Sequence, residues 1–170
     1  MDPVMQVRPA RPGDAAAISA IYNHYITHST ATFREELETV AERSAWLADH
    51  QGGHAVLVAE ETDGSLAGWA ALSPFHARSA YRFTAENSIY LRDDRRGRGL
   101  GGHLLAALLD HARAHGFHTV LASITAEQEA SLRLYHRLGF VETARLRQVG
   151  CKFERWLDVV YLQYFLAEAS

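Results

Sequence analysis

Residues 91–109 read "LRDDRRGRGLGGHLLAALL". Four glycines (Gly97, Gly99, Gly101 and Gly102) and the arginines Arg95, Arg96 and Arg98 stand between an apolar strand-like run and a leucine-rich helix-like run. Glycine lets the backbone take conformations, and approach a ligand to distances, that a side chain forbids. The helix that follows offers unbonded N–H groups and the positive end of its dipole. A glycine loop running into a helix N-terminus is an anion site, with phosphate its usual occupant, and the arginines add charge for further phosphates. The stretch therefore predicts a polyphosphate ligand. A P-loop needs Gly-Lys-Ser/Thr, and no lysine is present here. The spacing Gly97, Gly99, Gly102 matches a dinucleotide fingerprint. About 20 residues further on, near "ASIT", there is no acidic residue for a ribose.

Outward from this loop the chain alternates strands and helices. "MQVRPA" (5–10) predicts a first strand, and Asp14 an N-cap for a helix to about His28 with Ile18, Ile21, Tyr22 and Tyr25 on one face. "TVAERSAWLADH" (39–50) predicts a second helix with Val40, Trp46 and Leu47 as its apolar positions. "HAVLVAEETDGSLAGWAAL" (54–72) predicts two strands turning at Asp63-Gly64, and "RFTAENSIYL" (82–91) a further strand. After the glycine loop come a helix closed by Gly116, a buried strand "HTVLASI" (118–124) and a helix ended by Gly139. "FVETARLRQVG" (140–150) and "WLDVVYLQYFL" (156–166) close the chain as strands. The order implies an α/β (α+β) fold, a mixed sheet with helices on both faces.

The totals agree with one domain over residues 1–170. Of the 170 residues 48% are hydrophobic, enough for a sizeable core, and the formal charge of −3 argues against a general nucleic-acid binder. Cys151 stands alone, which excludes an internal disulfide framework and suits a reducing cytoplasm. No run reaches the roughly 18 apolar residues of a membrane span, and the first residues lack a secretory pattern. His24/His28 and His111/His115 have i, i+4 spacing but no H-E-x-x-H glutamate and no third-ligand cluster, so no metal site is expected.

"RGRGLG" (96–101) resembles the R/Q-x-x-G-x-G/A signature of the GNAT N-acetyltransferases, and the resemblance runs on through nearly the whole chain. "NHYITHSTATF" (23–33), "GWAALSPFHARSAYRFTAENSIYL" (68–91), "ASLRLYHRLGF" (130–140) and "VGCKFERWLDVVYLQ" (149–163) are similar to the phosphinothricin and methionine-sulfoximine N-acetyltransferase branch. That resemblance implies a GNAT fold with a mixed central sheet of about six to seven strands flanked by about four helices. It implies acetyl-CoA as cosubstrate, direct transfer to an amine, and a homodimer. Glu86, on the Glu86/Ser88/Tyr90 face of its strand, is the implied base; partial burial raises a carboxyl toward the range a base needs. Tyr135 is the implied acid for the leaving thiolate, at a position where some relatives carry histidine.

Cofactor contacts are implied at Ile89, Tyr90, Leu91, Arg96, Gly97, Arg98, Gly99, Leu100, Gly101, Gly102, Gln128 and Ser131, with the backbone amide of Ile89 or Tyr90 as oxyanion donor. Gln128 stands where relatives carry Asn. For the acceptor, the resemblance implies Phe33, Arg78, Tyr81, Arg82, Lys152 and Phe153, the last two reaching toward a neighbouring subunit. Glu154 replaces a glycine usual in relatives. Two other readings keep the same loop: an N-acetyltransferase for a protein N-terminus or polyamine, and a non-catalytic acyl-CoA sensor.

Overall fold

The computed structural model describes residues 5–166. Seven strands form one sheet in the order β1-β2-β3-β4-β5-β7-β6. They are β1 (Gln6–Pro9), β2 (Val56–Glu60), β3 (Leu66–Pro74), β4 (Thr84–Leu91), β5 (Thr119–Thr125), β6 (Val141–Lys152) and β7 (Arg155–Phe165). Four α-helices lie across it: α1 (Ala15–His28), α2 (Val40–Asp49), α3 (Leu100–Ala114) and α4 (Glu129–Arg137). The β4–β5 pair is parallel and every other pair is antiparallel. The sheet is therefore mixed, with helices on both faces as the element order predicts.

Strand alternation sorts the core into two layers. Leu57, Ala59, Ala70, Leu72 and Ala85 face one way and pack on Leu104, Leu105 and Leu108 of α3 and Tyr135 of α4. Val56, Val58, Trp69 and Ala71 face the other way and pack on Ile18, Ile21 and Tyr25 of α1. At about 25 cal/mol per Å2 of apolar surface, each fully buried leucine of α3 contributes roughly 2 kcal/mol. A leucine-to-alanine change there would also leave a cavity.

Two local readings need correction. Asp14 does precede α1, but its carboxylate does not cap that helix: it accepts from the Arg8 guanidinium at 2.8 Å and 3.0 Å and from the Arg11 amide, which closes the short turn Pro12–Asp14. A guanidinium offers two donors to a carboxylate, and here that pairing takes the side chain the helix would have used. On α2, Val40 is exposed and the one buried residue is Arg43. Arg43 lies 4.2 to 5.0 Å from the ring centroids of Trp46, Tyr22 and Trp69. Its Nε and Nη2 donate to the two oxygens of Glu38 at 2.7 and 2.8 Å. Planar guanidinium stacks on aromatic faces and forks onto carboxylate, so Arg43 joins Trp46 and Leu47 on the packed face while Val40 is left outside it. Thr39 does cap α2, in a reciprocal capping box with Glu42.

The buried Glu38–Arg43 pair generates the first prediction. Glu38→Ala leaves the Arg43 charge uncompensated, which is expected to cost about 3 kcal/mol. Urea unfolding at pH 7 measures it; a loss below about 1 kcal/mol, the size of an exposed pair, would show the ion pair is not needed.

Candidate active site

β4 and β5 run side by side only briefly. Thr84, Ala85 and Glu86 pair with Thr119, Val120 and Leu121, and the pairing stops there. β4 stays on β3 to Leu91↔Gly68, while β5 stays on β7 to Thr125↔Val159. The two strands thus diverge at Glu86. Ladder alternation fixes which main-chain groups face the gap. The Arg92 amide donates to Ala67 on the β3 side, and Phe83 O accepts from His118 on the β5 side. Even-numbered residues of β4 therefore bond toward β3, and Asn87, Ile89 and Leu91 present their main-chain groups to the gap. Of the two expected oxyanion donors, Ile89 has its amide in the gap and Tyr90 has its amide in the β3 ladder. Leu91 O is already met by the Tyr25 hydroxyl at 2.6 Å.

A cavity of about 240 Å3 occupies this divergence. Of the expected residues, Glu86, Ile89, Tyr90, Tyr135, Gln128, Ser131 and Phe33 line it, together with Asn87, Ser123 and Thr125. A larger cavity of about 400 Å3, between α2, β2 and α3, holds none of them. Glu86 is half-buried, and its Oε1 accepts the Ser123 hydroxyl at 2.9 Å. Tyr135 is buried and donates to Asn87 Oδ1 at 3.1 Å. Loss of solvent raises its phenol above the usual value, so it holds its proton; the Asn87 bond opposes this only in part.

Below the gap the chain turns through Asp93–Arg95 into α3. Gly97 and Gly99 have φ of 74° and 79°, left-handed values that disfavour any side chain. Gly101 is needed for packing instead: a Cβ there would lie 2.9 Å from Leu134 of α4. No side chain caps the α3 N-terminus, so its first amides are open to a ligand. The three arginines differ. Arg95 is bound to Glu61 and Asp94, and Arg96 is exposed at 3.6 Å from Asp93. Arg98 is exposed. These features fit a diphosphate on the loop and an amide-bearing arm along β4.

The residues expected at the acceptor are less concentrated. Phe33 lines the cavity, its ring so close over Gly150 that a Cβ at 150 would lie 2.1 Å from it. Arg78, Tyr81 and Arg82 are exposed on the loop after β3 and do not line the cavity. Tyr81 meets His76 and Phe75 edge to face, and Arg82 lies over Phe83. Phe153 is exposed at the β6–β7 turn. Lys152, expected to reach toward a neighbouring subunit, is 2% exposed and turns inward onto carbonyls of its own chain. Its ammonium donates to Ser29 O at 2.6 Å, Thr32 O at 2.8 Å and Tyr25 O at 3.4 Å, holding the loop that carries Phe33. Burial lowers its pKa from the ordinary lysine value. Glu154 has φ 59°, a value glycine takes without strain, which is the physical reason for glycine at this turn.

Gln128, longer than the expected Asn, donates to Thr30 Oγ1 at 3.0 Å and so ties α4 to the same loop. Sequence reading missed Ser123, Asn87, Thr30 and Glu127. The available signal was a polar residue inside an apolar strand, as in "VLASI" and "TAENSI". Among the described residues no group of three or more His, Cys, Asp or Glu could hold a metal ion.

The profile of the Acetyltransferase (GNAT) family matches residues 18–140. The chain belongs to this family. It is 41% identical over 167 residues to an L-amino acid N-acyltransferase of Escherichia coli, covering 98% of this chain and 96% of that one. It is 41% identical over 165 residues to an L-methionine sulfoximine/L-methionine sulfone acetyltransferase of Salmonella typhimurium, with 96% of each chain covered. Among solved structures it is similar to a phosphinothricin acetyltransferase from Sinorhizobium meliloti in complex with acetyl-CoA. There the TM-score is 0.94 at 33% identity, over 98% of this chain and 91% of that chain.

The loop network yields a pH prediction. Glu127 accepts both Arg155 nitrogens at 2.8 and 2.9 Å and the Thr30 hydroxyl at 2.6 Å. Arg155 first, then Thr30, hold its carboxyl down at about 2 against an ordinary 4.5. A carboxylate depressed in the fold stabilises it above the unfolded pKa and loses that contribution as pH falls through the folded one. The Tm difference between the wild type and Glu127→Gln is therefore expected at pH 7, shrinking between pH 4.5 and about 2. Partial exposure keeps it small and salt-sensitive. A difference that stays constant with pH would contradict the assignment.

Proposed function

We propose that this chain, as a single domain over residues 1–170, transfers acetyl from acetyl-CoA to the α-amino group of a small amino acid or analogue such as phosphinothricin, methionine sulfoximine or methionine sulfone. The observation that carries this reading is the placement of Glu86 at the mouth of the β4–β5 gap, half-buried beside Ser123, with Tyr135 in the same cavity. The relatives' names supply the acceptor class. An amine attacks a thioester only as the free base, and an α-amino group has a pKa of roughly 8. Glu86 takes a proton from the acceptor nitrogen, directly or through one water, and Ser123 orients its carboxylate. The Ile89 amide, unpaired in the gap, donates to the acyl oxygen as it gains charge. Tyr135 delivers a proton to the departing sulphur. The amides of Gly97–Gly102, with Arg96 and Arg98, hold the diphosphate; Leu91, Leu100 and Ser131 border the arm.

Phe33 forms the acceptor wall, and Arg78, Tyr81, Arg82 and Phe153 act from the loops around the cavity mouth. The cavity lining carries one carboxylate, Glu86, which disfavours a polyamine acceptor. Acetylation would remove the ammonium charge of a toxic amino-acid analogue, a resistance activity. We place the enzyme in the cytoplasm; among the described residues no helix is long and apolar enough to cross a membrane. A homodimer is supported by β6, an edge strand exposed over nearly its whole length with Val141, Leu146 and Val149 open to solvent.

Thiol release from acetyl-CoA with a panel of amino acids, analogues, peptides and polyamines tests the acceptor. The highest kcat/KM is expected with methionine sulfoximine, methionine sulfone or phosphinothricin. Tight CoA binding without stimulation by any acceptor would make the chain a sensor. Glu86→Gln is expected to lower kcat at pH 7 by roughly 100-fold, the size of a general-base effect, with acetyl-CoA affinity kept. Unchanged turnover would remove Glu86 from the chemistry. Replacing Arg96 and Arg98 together with Ala is expected to weaken acetyl-CoA more than S-acetylpantetheine, which lacks the diphosphate. Equal weakening of both would contradict the loop assignment.

A further inference from the structure

Asn87 follows Glu86 on β4, so its side chain points to the opposite face of the sheet, toward α4. It is 5% exposed, and its Oδ1 accepts the hydroxyl of Tyr135, itself 5% exposed. The other half of the same amide has no such match: Nδ2 is buried without a hydrogen-bond partner. Leaving a buried donor unmade costs about 1–3 kcal/mol, and groups of this kind call for a specific reason. Both Asn87 and Tyr135 line the cavity that holds Glu86. The two halves of one amide are neighbours, so an acceptor that comes up to the Tyr135 hydroxyl is also within reach of Nδ2.

We propose that Asn87 is a second hydrogen-bond donor to the departing sulphur, acting beside Tyr135. This rests on the acetyl-transfer reading above, with Tyr135 as proton donor. The sheet then divides the chemistry between its faces. Glu86 meets the amine on the α1 side, and Asn87 with Tyr135 meets the sulphur on the α4 side.

In the resting enzyme Oδ1 holds the Tyr135 hydroxyl, which fixes the amide and leaves Nδ2–H for the ligand. When the acyl carbon re-forms its carbonyl, the carbon–sulphur bond breaks and both its electrons go to sulphur. Tyr135 gives its proton to that sulphur, forming the thiol. The tyrosine oxygen regains a proton through solvent, replacing the one Glu86 removed from the amine. Asn87 transfers no proton; its N–H supports the negative charge on sulphur until Tyr135 has delivered. That support matters because burial makes a free phenolate costly, so the tyrosine cannot ionise ahead of the transfer.

The test compares kcat, acetyl-CoA Kd by calorimetry and Tm for Asn87→Ala, Asn87→Asp, Tyr135→Phe and the double variant Asn87→Ala/Tyr135→Phe. Asn87→Ala is expected to lower kcat roughly tenfold, one hydrogen bond to a charged centre, with Kd nearly unchanged. Asn87→Asp keeps the side-chain volume and an acceptor for Tyr135 but, as a carboxylate, has no N–H. It is expected to be as slow as Asn87→Ala, and it serves if the alanine variant does not fold. The double variant is expected to lose less than the product of the single losses, because both groups act on one atom. Full kcat in Asn87→Ala with Tyr135→Phe slow overturns the role of Asn87 and leaves Tyr135 in place; strictly multiplicative losses do the same. Full kcat in Tyr135→Phe overturns the acid assignment beneath it.

Discussion

The structure depends on one interruption: β4 and β5 stop pairing after Glu86↔Leu121. An open strand edge inside a sheet leaves main-chain donors and acceptors unmet, which a fold normally avoids. Here both strands are secured on their other sides, β4 by β3 and β5 by β7, so the gap is held open by the sheet itself. Close packing below fixes its depth. Gly68 admits the Leu91 side chain where a Cβ would lie 2.6 Å from it, and Gly101 admits Leu134 between α3 and α4. Tyr25 reaches across from α1 to take Leu91 O. An arm carrying amides can restore the missing strand, and the glycine loop before α3 comes soon after the last residue of β4's free edge.

A second set of constraints converges on residues 29–33. Lys152 binds two of this loop's carbonyls, the Thr125 hydroxyl donates to Thr30 O, and Glu127 and Gln128 share the Thr30 hydroxyl. Phe33 then rests on Gly150 of β6. The β6–β7 hairpin thus supports the cavity from behind Phe33 and lines it through Val159. Lys152 illustrates how: a buried ammonium needs its three donors satisfied, and three carbonyls satisfy them better than a substrate that comes and goes.

The sheet, the helices and the glycine loop were legible in the sequence because each is written locally. Glycines at 97, 99, 116 and 139 do take left-handed backbone, and the two-residue alternation of β4 does separate Glu86 from Ala85. Arg43 was not legible, because its burial depends on Trp69 and Glu38 lying where helix periodicity cannot see them. Ser123 and Asn87 were missed for a related reason. Each is defined by a partner, Glu86 or Tyr135, that is 37 or 48 residues away in the chain and adjacent only across the gap. Arg78 and Arg82 stand on an exposed loop and do not line the cavity. The direction in which Lys152 turns is set by carbonyls more than 100 residues away in the chain, which no local pattern records.

A crystal structure with acetyl-CoA bound tests the central claim most directly. The account predicts the pantetheine arm lying between β4 and β5, bonded to main-chain groups of Asn87 and Ile89, with the diphosphate on the Gly97–Gly102 amides. A thioester bound outside this gap, for instance in the larger cavity between α2 and β2, would contradict it.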